Sequence, residues 1–133
     1  MILVDTSAWV EFDRASESAV DLYLTGLIRA GGEQVAVSEP ILMEVLAGAR
    51  DDHRHRDLRR LLTSFNWIST DPVADFEGAA GVYRACRAAG ITPRGLVDCM
   101  IMSIALRTGS ALLSADRDLA QMSAVLPLDV VSP

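Results

Sequence analysis

The sequence predicts an α/β fold in which a parallel sheet of five strands is covered by helices on both faces. Two patterns support this prediction. Short apolar runs without polar alternation, such as Ile2-Leu3-Val4, are typical of strands that are buried on both faces. These runs alternate along the chain with segments of helical periodicity, which is the order of elements in parallel α/β sheets.

The predicted elements follow one another without a linker, a repeat or a low-complexity stretch. Strands are predicted at residues 1–4, 34–37, 67–69, 111–114 and 128–131. Helices are predicted at residues 6–13, 16–30, 53–65, 73–89 and 117–124, with two more that begin at residues 38–40 and 92–93. The 133 residues match the usual size of one domain and half of them are hydrophobic, so we expect a single domain over residues 1–133.

The helix at residues 73–89 shows how such a segment is expected to pack. Its apolar face repeats at helical spacing and includes Phe76, Ala79 and Cys86. Acidic residues near its start, among them Asp75, and arginines near its end complement the helix dipole. This pattern predicts that the apolar face packs inward and that Asp75 stabilises the helix through its interaction with the helix dipole.

The charge pattern restricts the chemistry that the chain can perform. The net charge of −6 disfavours a polyanionic partner, unless divalent cations bound by clustered acids offset it locally. All twelve strongly basic residues are arginines and none is a lysine. The absence of lysine excludes a P-loop lysine, a Schiff base and the lysine that neutralises an aspartyl-phosphate.

No segment is expected to cross a membrane. The longest uncharged apolar stretch, around residues 99–106, is far shorter than the roughly 18 residues of a membrane-spanning helix. Asp5 interrupts the amino-terminal apolar run after four residues, unlike the pattern of a secretion signal. Cys86 and Cys99 do not form a C-x-x-C pair and are expected to be reduced. These features predict a cytoplasmic protein.

Four carboxylates interrupt apolar parts of the chain: Asp5, Glu44, Asp98 and Asp116. Each lies in or directly after a run of aliphatic residues, where an unpaired charge costs free energy. Asp98 is the clearest case, because apolar residues surround it on a predicted helix. Asp5 follows a buried strand, and in parallel α/β sheets the crevice beyond the strand ends is where ligands bind. We therefore interpret the four acids as one site.

Each acid also has an ordinary structural role open to it. Asp5 and Asp116 can cap the helices that follow them. Glu44 can face solvent, and Asp98 can pair with Arg94. Only the set of four favours a functional site over these alternatives.

Converging carboxylates predict a metal site, because Mg²⁺ and Mn²⁺ prefer oxygen ligands. Two such ions about 3.5–4 Å apart can activate water and stabilise the leaving oxygen of a phosphodiester. His53 and His55 lie among arginines on a helix that we expect to be solvated, and no Cys–His cluster suggests zinc. The predicted cofactor is therefore Mg²⁺, with Mn²⁺ able to substitute.

The chain resembles the PIN-domain ribonucleases and, within them, the VapC-type toxins of bacterial toxin–antitoxin pairs. Four short motifs carry the resemblance through their order and spacing: Ile2-Leu3-Val4-Asp5-Thr6-Ser7, Ser38-Glu39-Pro40-Ile41-Leu42-Met43-Glu44, Leu96-Val97-Asp98-Cys99-Met100-Ile101 and Ser114-Ala115-Asp116-Arg117-Asp118-Leu119. The resemblance covers nearly the whole chain and implies a single PIN-like nuclease domain.

The resemblance also implies roles for individual residues. The metal-binding catalytic acids of the family correspond to Asp5, Glu44, Asp98 and Asp116. Asp118 is a further candidate for the second metal, and Thr6 or Ser7 would supply a hydroxyl that orients one of the acids. Arg94 matches an arginine that lies near the site in similar toxins, where it is a candidate for RNA binding.

The resemblance implies partners as well. A protein of this kind is a metal-dependent endoribonuclease that hydrolyses RNA with two metal ions, forms a homodimer and is blocked by a cognate VapB-type antitoxin. The acid-bearing elements also carry several large apolar residues: Trp9, Phe12, Leu42, Val45 and Leu46. Together they suit a groove for a partner segment, whereas singly each is explained by ordinary core packing.

A basic face is predicted on the helix at residues 53–65, formed by Arg54, Arg56, Arg59 and Arg60. We expect Arg56 and Arg60 to position RNA phosphates. A solvated helix with local pairs to neighbouring acids explains any single arginine equally well.

Other functions are compatible with parts of the sequence. A haloacid-dehalogenase-like phosphatase also begins with a strand that ends in Asp, but its second acid is replaced by Ser7 and its lysine is missing. A receiver domain is excluded for the same reason, because it also requires a lysine and this chain has none. The alternatives to an RNA-cleaving toxin are a PIN-like interaction module that has lost catalysis and a DNA-directed nuclease of the PIN or flap type.

Overall fold

The computed structural model describes all 133 residues, Met1–Pro133, and is built around a parallel sheet. The four strands are β1 Ile2–Val4, β2 Val35–Val37, β3 Asn66–Trp67 and β4 Ala111–Leu113. They lie in the order β3-β2-β1-β4, and each neighbouring pair is parallel. The seven helices are α1 Thr6–Asp13, α2 Ala19–Arg29, α3 Glu39–Ala47, α4 Asp52–Leu62, α5 Ala74–Ala88, α6 Leu96–Thr108 and α7 Arg117–Ser123. The predicted α/β class is confirmed.

The inner strands β1 and β2 lie in the middle of one contiguous core of 25 buried hydrophobic residues. Ile2 pairs with Val35 on one side and with Ala111 on the other. Every residue of β1 and β2 is buried, although successive side chains point to opposite faces of the sheet. Helices therefore cover both faces, as the unalternating apolar runs predict.

The prediction of a fifth strand at residues 128–131 is wrong, because that segment makes only a single parallel bridge, between Leu112 and Val130. The Leu112 N–H donates to the Asp129 carbonyl at 2.8 Å, and the Val131 N–H donates to the Leu112 carbonyl at 2.9 Å. Val130 and Val131 are only half-buried and Asp129 is exposed. Extending the pairing would bury too little apolar surface to offset the entropy cost of ordering the segment.

Turns and caps decide where α2 begins, at Ala19 instead of the predicted residue 16. Ala15 and Glu17 both have positive φ angles, of 48° and 60°, which a helix does not accommodate. Ser18 then caps α2, because its hydroxyl accepts a hydrogen bond from the Asp21 N–H at 3.2 Å.

The start of α6 also differs from the prediction, and this difference positions a site residue. The helix begins at Leu96 instead of residues 92–93, because Gly95 has an extended backbone with φ −164° and ψ 165°. Pro93 is buried, whereas Arg94 is exposed. Arg94 therefore lies outside the helix, just before the first turn that carries Asp98.

A buried ion pair joins α5 to α6. Asp75 on α5 is fully buried and accepts hydrogen bonds from Arg107 Nε and Nη2 at 2.8 to 3.2 Å and from Ser103 Oγ at 3.0 Å. Gly78 lies against Ser103, and a Cβ added to Gly78 would collide with the Ser103 hydroxyl. The two helices can therefore approach closely at this point.

The inward face of α5 differs from the predicted one. Asp75, Ala79, Val82 and Cys86 are buried at helical spacing, whereas Phe76 is 61% exposed. The expectation for Phe76 is wrong, because the face of α5 that turns inward is the one that contains Asp75, the partner of Arg107, and Phe76 lies outside that face.

Both cysteines are free and buried. None of the seven helices combines the length and the hydropathy needed to cross a bilayer.

Candidate active site

Three of the four predicted acids meet at the carboxyl edge of the sheet, where β1 and β4 end side by side. Asp5 directly follows β1, and its N–H donates to the carbonyl of Leu113 at the end of β4 at 2.9 Å. Glu44 reaches the same place from α3, and Asp98 reaches it from the first turn of α6. Carboxylate oxygens of Asp5, Glu44 and Asp98 lie within 4.8 Å of one another.

Asp5 is held by hydroxyl groups in a nearly closed environment, with 2% of its surface exposed. Its Oδ2 accepts hydrogen bonds from Ser7 Oγ at 2.7 Å, from Ser114 Oγ at 3.0 Å and from the Ser7 N–H at 3.3 Å. Burial raises the pKa of Asp5, although these hydrogen bonds favour the charged form. All three of these hydrogen bonds go to Oδ2. Asp5 also caps α1, so its structural role is realised together with its place in the cluster.

Thr6 and Ser7 each orient a different acid. Thr6 Oγ1 donates a hydrogen bond to Glu44 Oε1 at 2.7 Å, whereas Ser7 Oγ donates to Asp5. Glu44 is half-buried and does not face solvent freely. The first turn of α1 therefore fixes two of the three clustered carboxylates.

Asp98 is half-buried, and neither side chains nor backbone groups stabilise its carboxylate by hydrogen bonding. Burial, followed by the negative charges of Asp5, Glu44 and Asp116, raises the pKa of Asp98 to about 6, although Arg94 lowers it. The alternative pairing of Asp98 with Arg94 is not formed. Three carboxylates thus converge without a paired cation, which is a donor set that fits a hard divalent ion.

Asp116 lines the same cleft but is not part of the three-acid cluster. It caps α7, because its Oδ1 accepts a hydrogen bond from the Asp118 N–H at 2.9 Å. Its Oδ2 accepts a hydrogen bond from Arg94 Nη2. Asp118 Oδ2 lies 2.7 Å from Arg94 Nε. The acids in and next to this cleft are therefore divided into an uncompensated group, which forms no ion pair, and a group that pairs with Arg94.

Ser114 is a site residue that the motifs alone do not single out. It donates to Asp5, lies 3.1 Å from Ser7 Oγ, and accepts a hydrogen bond from the Asp116 N–H at 3.0 Å. The signal in the sequence is its position directly after β4, which runs parallel to the strand that delivers Asp5. Ser114 links both acidic groups.

Two concave surfaces adjoin each other at this edge of the protein. The acids line an open cleft of about 460 Å³. Beside it lies a larger, mainly apolar groove of about 750 Å³, and Leu96 and Val97 line both. In this apolar groove Met43, Phe76 and Leu96 are 55 to 61% exposed. The larger concavity therefore lies next to the acids and does not contain them.

Core packing accounts for the apolar residues that were candidates for a partner groove. Trp9 is 2% exposed, and its ring centroid lies 5.8 Å from that of Phe12 and 5.5 Å from that of Phe65. Val45 is buried as well. Phe12, Leu42 and Leu46 are partly buried against the same core. The apolar groove is formed by different residues.

The predicted basic face lies on α4, away from the acid cluster. Arg56 and Arg60 are exposed, whereas Arg54 forms an ion pair with Asp13 of α1. Both histidines of α4 are exposed, as predicted. Neither Arg56 nor Arg60 lines the acidic cleft, so α4 would contact a ligand only outside it.

Comparison with known proteins places this geometry in a family. Residues 2–125 match the model of the PIN domain. The chain is 40% identical to Ribonuclease VapC11 of Mycobacterium tuberculosis over 132 aligned residues. The alignment covers 99% of this chain and 98% of that protein. A VapC ribonuclease of Mycobacterium bovis matches with the same identity and coverage.

Solved structures with low sequence identity share the fold. One chain of a toxin–antitoxin complex from Klebsiella pneumoniae superposes on this protein with a TM-score of 0.72 at 22% identity. The superposition covers 100% of this chain and 98% of the Klebsiella chain. VapBC2 from Rickettsia felis, bound to a DNA fragment from its promoter, has a TM-score of 0.75 at 15% identity and covers 98% of each chain. With the family match over residues 2–125 and the identity to curated relatives, these observations show that the chain belongs to the PIN-domain family.

Proposed function

We propose that this protein is a metal-dependent endoribonuclease and the toxin of a toxin–antitoxin module. One observation carries the proposal: Asp5, Glu44 and Asp98 converge in an open cleft of a chain that is 40% identical to named VapC ribonucleases over nearly its whole length. We assign metal-binding and catalytic roles to these three acids and a role at the rim of the cleft to Asp116.

The residues of the cleft fit Mg²⁺, with Mn²⁺ able to substitute. The negative charges of Asp5 and Glu44 disfavour the charged form of Asp98, and a divalent ion offsets that repulsion. When bound, the ion supplies positive charge that stabilises a phosphodiester during hydrolysis and promotes ionisation of water. The hydroxyls of Thr6, Ser7 and Ser114 hold two of the carboxylates in fixed orientations, so the site needs little rearrangement.

A direct assay tests the proposal. Purified protein is incubated with RNA and with single-stranded DNA in Mg²⁺, in Mn²⁺ and in EDTA. We expect RNA cleavage with either metal and none in EDTA. Cleavage of DNA in place of RNA would support the DNA-directed alternative, and metal binding without any cleavage would support an inactive interaction module.

We assign RNA contacts outside the cleft to Arg56 and Arg60, because both guanidinium groups are exposed on α4. Replacing both with glutamine should reduce the dependence of RNA affinity on salt by about one log unit of slope for each lost phosphate contact. The double variant of Arg84 and Arg87, which are exposed on α5, removes the same charge and serves as the control. Equal slopes for the two double variants would assign Arg56 and Arg60 to another role.

We further propose that the chain forms a homodimer and is inhibited by a VapB-type antitoxin. A second copy of the chain would cover the apolar groove, because Met43, Phe76 and Leu96 together expose a large apolar surface. The antitoxin would cover the acidic cleft, where a basic side chain can pair with the carboxylates. We propose that the chain acts in the cytoplasm, where RNA and a protein inhibitor of this kind are available.

Light scattering and co-expression test these partners. The parent chain should elute as a dimer, and Phe76→Ser should shift it toward the monomer without changing its helical content. A short reading frame next to the gene should encode a protein that binds the chain and stops RNA cleavage. A monomeric parent chain would refute the homodimer, and the absence of any inhibitory neighbour would refute the toxin assignment while leaving the nuclease assignment intact.

A further inference from the structure

The acidic cleft contains a positive group of its own. Arg94 is the only basic residue that lines it, and its guanidinium lies between Asp116 and Asp118. Arginine stays protonated at any physiological pH. The cleft therefore holds one permanent positive charge before any metal ion arrives.

The contacts of Arg94 occupy the acids that a second metal ion would need. Nη2 donates to Asp116 Oδ2, and Nε lies 2.7 Å from Asp118 Oδ2. The other oxygen of Asp116, Oδ1, already accepts the hydrogen bond that caps α7. An ion at Asp116 would have to share Oδ1 with the cap or displace the guanidinium from Oδ2, and in the first case the charge of Arg94 would repel it.

The backbone fixes Arg94 in this place. Pro93 is buried before it, and Gly95, which is extended and directly precedes α6, follows it. Asp98 follows in the first turn of α6, so the arginine and the uncompensated acid are attached to the same short segment. Nη2 and Nε make the closest contacts with the two acids, and 62% of the side chain is exposed, so the guanidinium also presents a free edge to a ligand.

We infer that Arg94 is the resident cation of the cleft: it occupies Asp116 and Asp118, so that the divalent site consists of Asp5, Glu44 and Asp98 and takes one ion per chain. The inference rests on the proposed metal-dependent function and specifies its metal content. The guanidinium supplies the second positive charge beside the phosphate and can donate a hydrogen bond to it through its free edge.

The number of bound Mn²⁺ ions per chain tests this inference. Free Mn²⁺ is measured by electron paramagnetic resonance while metal-free protein is titrated with the ion. The parent chain should bind one Mn²⁺. Arg94→Gln removes the charge and frees Asp116 and Asp118, so this variant should bind two. Arg94→Lys keeps the charge and should bind one.

Arg87→Gln provides the matched control, because it removes the same charge from an exposed position on α5 that does not line the cleft. It should bind one Mn²⁺, like the parent. Two ions on the parent chain would overturn the inference and leave the proposed function standing, as would one ion on Arg94→Gln with the affinity of the control. No Mn²⁺ on the parent chain would overturn both the inference and the proposed metal dependence.

Discussion

Two carboxylate sites of opposite electrostatic character lie at the two ends of α6: Asp98 belongs to its first turn, and Asp75 of α5 packs against Arg107 in its last turn. At the N-terminal end, burial and the neighbouring acids raise the pKa of Asp98 to about 6, and no arginine forms an ion pair with it. At the C-terminal end, burial alone would raise the pKa of Asp75, but the hydrogen bonds from Arg107, the Asp71 N–H and Ser103 lower it. Asp75 is the more deeply buried of the two.

The presence of a counter-charge therefore outweighs the depth of burial. A buried carboxylate with a guanidinium partner stays ionised and joins two helices. A half-buried carboxylate among other acids lacks such a partner, and that imbalance is typical of a functional site. The comparison assigns a structural role to the Asp75 end of α6 and supports the proposed metal-binding role of the Asp98 end. Substitutions at each end can test this division.

The largest effect is expected from Asp98→Asn. The substitution removes one of three clustered carboxylates without changing the volume of the side chain, so RNA cleavage should fall by at least about a hundredfold and Mn²⁺ binding should weaken. The melting temperature of the metal-free protein should stay the same or rise, because repulsion within the cluster decreases. Cleavage as fast as that of the parent would remove Asp98 from the catalytic site.

At the other end of α6, Asp75→Asn should lower the free energy of unfolding by about 3 kcal/mol, because the guanidinium of Arg107 loses its partner. Glu77→Gln changes an exposed acid on the same helix and should stay within about 0.5 kcal/mol of the parent. Urea titrations followed by circular dichroism measure both values. Equal losses in the two variants would contradict a structural role of the Asp75–Arg107 pair.

The close approach of α5 and α6 can be tested separately with two glycines of α5. Gly78→Ala forces the Ser103 hydroxyl away from Asp75 and should cost about 1–2 kcal/mol. Gly81→Ala meets no atom within 4 Å and should gain about 0.5–1 kcal/mol from the better helix propensity of alanine. The same urea titration compares them. A stabilising Gly78→Ala would show that α6 moves away from α5 without penalty.

The smallest effect is expected in the pH dependence of the metal-free protein. A folded-state pKa of about 6 for Asp98, above its ordinary value of 3.8, means that the folded state binds more protons than the unfolded state between these values. The free energy of unfolding should therefore fall as pH rises from about 4 to 6, by roughly 1 kcal/mol after allowance for solvent screening of this half-exposed group.

Urea titrations in EDTA at several pH values measure this slope, and Asp98→Asn should reduce it. The Asp75 end behaves in the opposite way, because the lowered pKa of Asp75 gives stability that is lost as pH falls below its ordinary value of 3.8. An unchanged slope between pH 4 and 6 in Asp98→Asn would show that another group, such as Asp5, is responsible for it.

The sequence by itself determined the parts of the molecule that depend on local patterns. The strands β1, β2 and β4 follow from unalternating apolar runs, and α1 follows from its spacing and from the acid that caps it. Asp5, Glu44 and Asp98 were identifiable because a charge inside an apolar run is costly unless something compensates it. The rule that ligands bind beyond the carboxyl ends of parallel strands located Asp5, whereas Glu44 and Asp98 were assigned to the same site because each is an isolated charge in an apolar run.

Only the tertiary structure decided which charges pair and which segments complete the sheet. Arg94 lies beside Asp116 and Asp118 instead of Asp98 because α6 starts at Leu96, and this start depends on the backbone of Gly95. The periodicity of apolar residues does not predict where α6 starts. Nor does it predict the partners of Arg94, because side chains that are far apart in sequence meet only after the helices pack.

The ion pair between Asp75 and Arg107 and the absence of a fifth strand both depend on which neighbours the fold supplies. Arg107 reaches Asp75 across 32 positions of sequence, and the orientation of α5 that permits this contact also exposes Phe76. The segment at residues 128–131 has the apolar composition of a strand, but at the edge of the sheet it finds too little surface to bury, and only Val130 pairs. Composition sets what a segment can bury, whereas the neighbours supplied by the fold decide how much it does bury.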